Sequence, residues 1–326
     1  MEKINDKVVG RDILFVSTKN KEYIRNQQEI KLLKKNAKSY SEIVFSDKAY
    51  FTRVLKVYLA CMKGMWKQAD VIYVGFAPQL VLPFLKRWAQ EKYVVVDFFI
   101  SLYDTFVFDR KYFKEGSVAA NILFRIDKLT LERCDYVIVD TQADQKYFSK
   151  TFQVPMGKTE VMYLEADSDI YNLQKYKKEK MKVLYFGSVL PLQGVDVILK
   201  AVRMLKGHTD IAFTIIGPLK DTGGMGRKRY PNAVFYKWLP QEKLAEQIAS
   251  ADLCIAGHFS IGIEKAKRTI PGKAYIYESM KKPMILGDNE ANRELFQEDS
   301  MHFYVEMGNA GALAKKIIEI KEQEKI

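Results

Sequence analysis

Short runs of β-branched and aromatic residues alternate with amphipathic helical stretches along nearly the whole chain, and the alternation starts twice. In the first half the runs are Ile13–Ser17, Ile43–Phe45, Val71–Val74, Tyr93–Asp97, Tyr136–Val139 and Glu160–Tyr163, with helical segments between them, the longest at Ala119–Arg133. The pattern restarts with Lys182–Phe186, Ala212–Ile216, Ala233–Lys237, Leu253–Ala256, Met284–Leu286 and Phe303–Val305, separated by helices near Val195–Leu205, Gln241–Ala249, Lys273–Met280 and Gly311–Glu322. A strand that reaches the next strand through a helix pairs with it in parallel, and such sheets need helices on both faces. The pattern therefore predicts α/β architecture in two domains, each a parallel sheet between helices. The composition shift from Glu165 to Lys182, Lys-rich from Lys175 onwards, sets the boundaries. An N-terminal domain spans 1–165, a linker 166–181 and a C-terminal domain 182–326. Ligands of open parallel sheets bind beyond the carboxyl ends of the strands, so two halves of this kind predict a cleft between them.

Composition narrows the setting. No stretch approaches the roughly 20 apolar residues of a membrane span, and Met1 to Asp12 has no apolar signal region, so a cytoplasmic chain is expected. Cys61, Cys134 and Cys254 lie far apart in or beside apolar runs, where buried thiols are the ordinary outcome. The net charge is +12, and residues 21–67 carry 11 basic residues against 4 acidic ones. That excess falls on two predicted helices, Lys21–Lys38 and Tyr50–Lys67. The second interleaves Arg53, Lys56, Lys63 and Lys67 with Val54, Leu55, Val57, Tyr58, Leu59, Met62 and Met65. Such a face rests on anionic lipid, at the inner surface of the plasma membrane, or is the solvated side of a core-packed helix. No RNA- or DNA-binding motif accompanies the charge, so nucleic acid is not an expected partner.

The familiar phosphate-loop, nucleophile-elbow and zinc-helix motifs are absent. His208, His258 and His302 are widely separated, which argues against a histidine metal site. Asp167-Ser168-Asp169 has the spacing of a metal-binding Asp-x-Asp, but sits in the linker, where acidic turn residues are common. The informative region is Ala256 to Phe296. After an apolar strand come Gly257-His258-Phe259-Ser260, then Ile270-Pro271-Gly272-Lys273 opening a helix that carries Glu278, and later Asp288 to Glu294 with Arg293. Unpaired amides at a helix start suit phosphate oxygens, Lys273 adds a full charge, and Glu278 can accept from a ribose diol. A capped surface helix, with Pro271 at its first position, is the plainer alternative.

The ordered set Phe186-Gly187-Ser188-Val189-Leu190-Pro191-Leu192-Gln193-Gly194-Val195-Asp196, Ile215-Ile216-Gly217-Pro218, Lys237-Trp238-Leu239-Pro240, Ala251-Asp252, Ile270-Pro271-Gly272-Lys273, Tyr277-Glu278 and Arg293-Glu294 resembles glycosyltransferase family 4. It covers residues 182–324; Ile13–Ser17, Asp135–Thr141 and Val161–Asp167 resemble the family's acceptor domain more loosely. The resemblance implies the GT-B fold, two Rossmann-like domains facing across a cleft, and retaining transfer from a nucleotide-sugar donor with neither metal nor other cofactor. By position it places the ribose on Glu278, the base on Lys237, Trp238 and Leu239, and the phosphates over Gly187, Ser188 and Gln193. His258, Phe259 and Ser260 would line the sugar–phosphate pocket, with Lys273 and Arg293 as candidate charges at the diphosphate. Ser188 and Gln193 stand where the family often has Arg and Lys, Ile270 where it often has a glutamate, and the first half has no histidine near Phe99. These departures point to a divergent subfamily with a Pro-x-Lys motif, or to a non-catalytic GT-B partner of an active transferase.

On the acceptor side, Asp97, Ser101 and Asp104, with Asp109 beyond, follow a predicted strand, and Lys19 and Asn20 follow the first one. Polar groups at such ends face a ligand more often than not, so Asp104 is the candidate for the acceptor hydroxyl, against a turn or capping role. The expected reaction moves a sugar, a UDP-sugar being favoured, to a glycan or lipid-linked acceptor in cell-surface polysaccharide or glycolipid synthesis. An epimerase or phosphorylase on the same fold, and a membrane module without catalysis, are the other classes considered.

Overall fold

The computed structural model describes residues 2–84, 91–167, 170–171, 180–219 and 229–323. The chain divides into two compact units, Met1–Glu165 and Ala166–Ile326. Ser168 and Asp169 of the acidic turn, and Lys175 to Glu179 of the Lys-rich stretch, lie outside the described residues.

The first unit holds β1 Asp12–Val16, β2 Ser39–Ile43, β3 Val71–Val74, β4 Tyr93–Asp97, β5 Tyr136–Val139 and β6 Thr159–Val161 in one sheet, ordered β2-β1-β3-β4-β5-β6 with every pair parallel. Around it lie α1 Glu2–Val8, α2 Ile24–Asn36, α3 Tyr50–Met62, α4 Val118–Glu132 and α5 Gln142–Phe152. Side chains alternate across each strand. Leu14, Val16, Ile72, Val74, Val94, Val96, Val137 and Val139 accordingly pack into one core. Ile13, Phe15, Val71, Tyr73, Val95, Tyr136 and Ile138 pack into another on the opposite face. Burial on both faces explains why these strands read as unbroken apolar runs, whereas edge strand β2 alternates exposed and covered residues.

Two helices are shorter than their periodicity predicted. Helix α2 occupies Ile24–Asn36 rather than Lys21–Lys38, because Tyr23 and Ala37 are both extended. Helix α3 stops at Met62 rather than Lys67, where Gly64 takes a φ of +79° and its carbonyl accepts from the Lys67 amide at 3.1 Å. Ser117 and Thr141 cap α4 and α5 by accepting from the amides of Ala120 and Asp144.

The second unit repeats the layering. Its strands are β7 Met181–Phe186, β8 Ile211–Ile216, β9 Ala233–Tyr236, β10 Leu253–Gly257, β11 Met284–Gly287 and β12 His302–Val305. They form an all-parallel sheet ordered β12-β11-β10-β7-β8-β9. The described helices are α6 Val195–Met204, α7 Gln241–Ser250, α8 Glu264–Arg268, α9 Gly272–Ser279, α10 Glu290–Leu295 and α11 Ala310–Gln323. Counted from β7 this is the Rossmann order, which reverses between β7 and β10; in the first unit the reversal lies between β1 and β3. Loops leaving adjacent strands at a reversal diverge to opposite faces and open a crevice at the carboxyl edge.

A buried charge cluster ties that edge together in the first unit. Arg25, from α2, is 2% exposed. Its Nε donates to Asp97 Oδ2 at 2.7 Å and one terminal nitrogen to Asp97 Oδ1 at 2.8 Å. The other donates to Asp140 Oδ1 at 2.9 Å and to the Met162 carbonyl at 3.1 Å. One guanidinium thus joins the residues ending or following β4, β5 and β6. Beneath it Tyr73 donates to Glu29 Oε1 at 3.0 Å, and burial together with Asp97 raises the Glu29 carboxyl well above its ordinary range. Arg25→Ala strands the Asp97 charge in the interior, and a loss of about 3–5 kcal/mol is expected. Urea unfolding followed by far-UV circular dichroism should show a correspondingly lower midpoint for this variant; an unchanged midpoint would mean the cluster does not carry the edge.

Candidate active site

At the reversal of the second sheet the chain crowds several loops onto one spot. Gly187 directly follows β7, and its amide donates to the Ile216 carbonyl at 2.9 Å. Gly217 lies so close to this loop that a Cβ there would sit 2.2 Å from the Gly187 carbonyl oxygen. The chain then makes a single turn, Pro191–Gln193, and enters α6 through Gly194, whose φ is +65°. A Cβ on Gly194 would lie 2.8 Å from the backbone carbon of Phe259. From the other side of the crevice, β10 runs through Gly257 into His258, and the Phe259 amide donates to the Gln193 carbonyl at 3.3 Å. Backbone contacts between glycines and carbonyls therefore lock the loop after β7 to the loop after β10.

Lys273 reaches this junction from the first turn of α9. No side chain caps that helix, and Pro271 is its cap residue rather than its first helical residue. The Lys273 ammonium donates to Gln193 Oε1 and lies 5.0 Å over the Tyr185 ring. A Cβ on Gly187 would be 3.3 Å from Lys273 Nζ. Burial lowers the lysine to about 7. The full charge expected from the sequence is therefore only partly present at neutral pH.

His258 is 3% exposed, and burial followed by the Lys273 charge lowers it to about 3. Its Nδ1 is 3.3 Å from the Thr269 hydroxyl, whose own proton goes to the Lys265 carbonyl at 2.9 Å. With its pKa so low the ring is a neutral group, able to accept a hydrogen bond through its unprotonated nitrogen.

The other donor-side candidates divide. Ser188, Gln193 and Ser260 are half-buried around the junction. The Phe259 side chain is fully buried in the second unit's core, so it anchors the loop instead of lining a pocket. Lys237, Trp238 and Leu239 follow β9 at the same carboxyl edge, two strands from Gly187, and Trp238 is 60% exposed. Glu278 lies at the other end of α9, where its Oε2 is 2.7 Å from His302 Nε2. Arg293 does not join Lys273 in these contacts. Its Nε and a terminal nitrogen donate to Asp288 at 2.5 and 2.8 Å, and its guanidinium stacks 4.2 Å over Tyr304. An arginine already held by a bidentate carboxylate is a poor source of charge for a diphosphate.

In the first unit Asp97, an acceptor-side candidate from the sequence, is 1% exposed, and both its carboxylate oxygens accept from Arg25. Ser101 donates to Asp127 Oδ2 at 2.7 Å and accepts from the Asp104 amide at 2.9 Å. Asp127 also accepts from the amides of Leu102 and Tyr103, and burial raises it to about 6 against these bonds. The whole loop is thereby fixed, with Asp104 2% exposed at the start of a π-helical turn and 3.4 Å from the Tyr147 hydroxyl. Asn26 donates to the carbonyls of Lys19 and Asn20, and the Lys19 ammonium lies over Tyr23 and Phe76. Arg25, Asp127 and His302 were not singled out from the sequence; an isolated Arg, Asp or His in a helix or strand gives no local sign of its partner. Among the described residues no three His, Cys, Asp or Glu side chains gather as a metal site requires, and no helix is long and apolar enough to cross a membrane.

Residues 180–323 match the model of the family Glycosyl transferases group 1. No curated protein sequence matches the chain. Among solved structures, HepE of Anabaena in complex with UDP matches 96% of this chain and 90% of its own, with a TM-score of 0.69 at 15% identity. Sucrose-phosphate synthase of Thermosynechococcus elongatus matches with the same coverages and TM-score at 12% identity. The lipopolysaccharide outer core galactosyltransferase WaaB, in its apo form, matches 96% of this chain and 91% of its own, with a TM-score of 0.56 at 10% identity. The chain thus has the GT-B fold over nearly its full length, and its second unit is similar to the Glycosyl transferases group 1.

Proposed function

We propose that the chain is a retaining family 4 transferase of the Pro-x-Lys kind. It moves a sugar from a nucleoside-diphosphate donor, a UDP-sugar in the first instance, to a hydroxyl of a glycan or lipid-linked acceptor. The observation that carries this reading is the convergence of Gly187, Gln193, His258 and Lys273 at the strand-order reversal of a Rossmann sheet, beside an uncapped helix start. HepE, whose structures hold UDP and UDP-glucose, supports the choice of donor. Synthesis of a cell-surface polysaccharide or glycolipid, with the Lys21–Lys67 region against the cytoplasmic face of the plasma membrane, completes the proposal.

In this scheme the Lys273 ammonium and the first amides of α9 meet the charge that grows on the departing diphosphate, where removing one such donor typically costs about 3 kcal/mol of transition-state stabilisation. Lys273 supplies the cation that Ser188 and Gln193 do not, and Gln193 holds it in place. His258, neutral throughout the working pH range, can accept a hydrogen bond through its unprotonated nitrogen without adding to the charge. Glu278 Oε1 accepts from the ribose diol while His302 holds Oε2. The acceptor oxygen, positioned by Asp104, attacks the anomeric carbon from the side of the breaking carbon–phosphate-oxygen bond, and its proton leaves with the departing phosphate. No metal is required in this scheme.

A nucleotide at about 100 times its dissociation constant should stabilise the fold by roughly 2.7 kcal/mol. Melting curves with millimolar UDP, GDP, ADP or CMP should therefore shift for UDP, and the shift should vanish in Glu278→Ala. Absence of a shift with every nucleotide defeats the donor site. A shift without any transfer of sugar or donor hydrolysis identifies the non-catalytic partner instead, the reading that Ser188 and Gln193 favour.

Lys273 also sets a pH dependence. Its pKa falls from 10.5 to about 7 on folding, so between these values the unfolded chain binds more protons and the fold gains stability as pH rises. Binding of a diphosphate runs the other way, because it needs the charged lysine. UDP affinity should decline as pH is raised through this window, and Lys273→Met should bind more weakly with a flatter profile by titration calorimetry. Equal slopes in both proteins would remove Lys273 from the site.

A further inference from the structure

Helix α3 has two apolar faces, and the fold uses one of them. Val57, Ala60 and Cys61, with Arg53, are buried. On a different side, Phe51, Leu55, Leu59 and Met62 recur at intervals of four, four and three residues, the spacing of a single helical stripe. They are 78%, 48%, 49% and 75% exposed, and Met65 just beyond the helix is 52% exposed. Four or five large apolar side chains in register are not the scattered exposure that ordinary surfaces show. The segment carrying them is also uniformly cationic: residues 48–69 contain Lys48, Arg53, Lys56, Lys63 and Lys67 and no Asp or Glu. Lys48, Lys56, Lys63 and Lys67 are exposed. Helix α2 lacks this arrangement. Its exposed positions are Gln27, Lys31, Lys34 and Lys35, and its Arg25 and Glu29 are spent inside the charge cluster.

We infer that the Phe51–Leu55–Leu59–Met62 stripe of α3 is a membrane-docking face. It lies flat in the headgroup region of an anionic bilayer, the four side chains entering the acyl boundary and the surrounding lysines pairing with lipid phosphates. The inference rests on the membrane part of the proposed function and narrows it from the whole basic region to one helix face. Charge complementarity selects the occupant. A protein groove that took the apolar stripe would also have to neutralise an acid-free cationic rim, whereas an anionic bilayer supplies apolar depth and negative charge together. The donor site in the second unit is not involved, so nucleotide binding reports separately on folding.

The test is flotation of the full chain with vesicles of phosphatidylglycerol and phosphatidylcholine in equal parts, and with phosphatidylcholine alone. Wild type should float with the first in a salt-sensitive manner and not with the second. Phe51→Ser combined with Leu55→Ser should abolish flotation while the UDP melting shift persists. Lys48→Ser combined with Lys63→Ser should weaken binding roughly thirtyfold at low salt. A Phe51→Trp reporter should show blue-shifted fluorescence that brominated lipid quenches. Wild type that ignores both vesicles defeats the membrane reading as a whole. Wild type that floats while the Phe51/Leu55 variant floats equally well, or a stripe whose loss instead converts a dimer to a monomer by light scattering, overturns the assignment of this face.

Discussion

Parallel strand pairing is the constraint from which the rest of this molecule follows. A parallel neighbour can be reached only through a crossover, so within each sheet every strand points the same way and the exit loops land on that sheet's carboxyl edge. Crossovers cover both faces, which buries the central strands and gathers the loops that follow them at the carboxyl edge. Gly187, His258 and the residues after β9 meet at that edge in the second unit, and Lys19, Asp97 and Asn20 at the corresponding edge of the first.

The two units stiffen this edge by different means. In the first, a single guanidinium spans three strand ends, with a buried glutamate and a tyrosine beneath it. The attraction is strong because the group is out of water, and removal of one partner is correspondingly damaging. Asp127, gathering a hydroxyl and two amides, extends the same device to the next loop. In the second unit the contacts are steric. Glycine α-carbons press against the carbonyl and backbone of neighbouring loops, and at the junction of the β7 and β10 loops Lys273 is the charged side chain that reaches in. One edge is held chiefly by charge and the other chiefly by shape.

The strands were legible from the sequence to within a few residues because a two-sided buried strand has an apolar signature that survives without context. Helix ends were less so. Tyr23 and Gly64 end or delay helices through backbone conformation that periodicity does not encode. At the site, the residues of the β7 and β10 loops could be named in order, whereas their states could not. The low pKa of Lys273 comes from burial that many distant residues create. Asp97 looked like a ligand because its partner Arg25 is 72 positions away, and Arg293 looked available because Asp288, five residues earlier, gives no hint that it will turn towards it. The mixture of lysines and apolar residues in α3 was plain, but only packing separates the face that is buried from the face left bare.

The interlocked glycines bear on how such a site changes over evolutionary time. Because main-chain atoms hold the loop after β7 against the loop after β10, the shape of the crevice does not depend on what side chains stand at 188 and 193. Substitution there can redistribute charge without collapsing the scaffold, whereas position 217 is closed to any residue larger than hydrogen, since its neighbour is a carbonyl rather than a side chain that could step aside. Change is thereby channelled towards the loop side chains and away from the glycines that set the loops' shape. Side chains at 188 and 193 can therefore be exchanged while the main-chain framework that shapes these loops stays as it was.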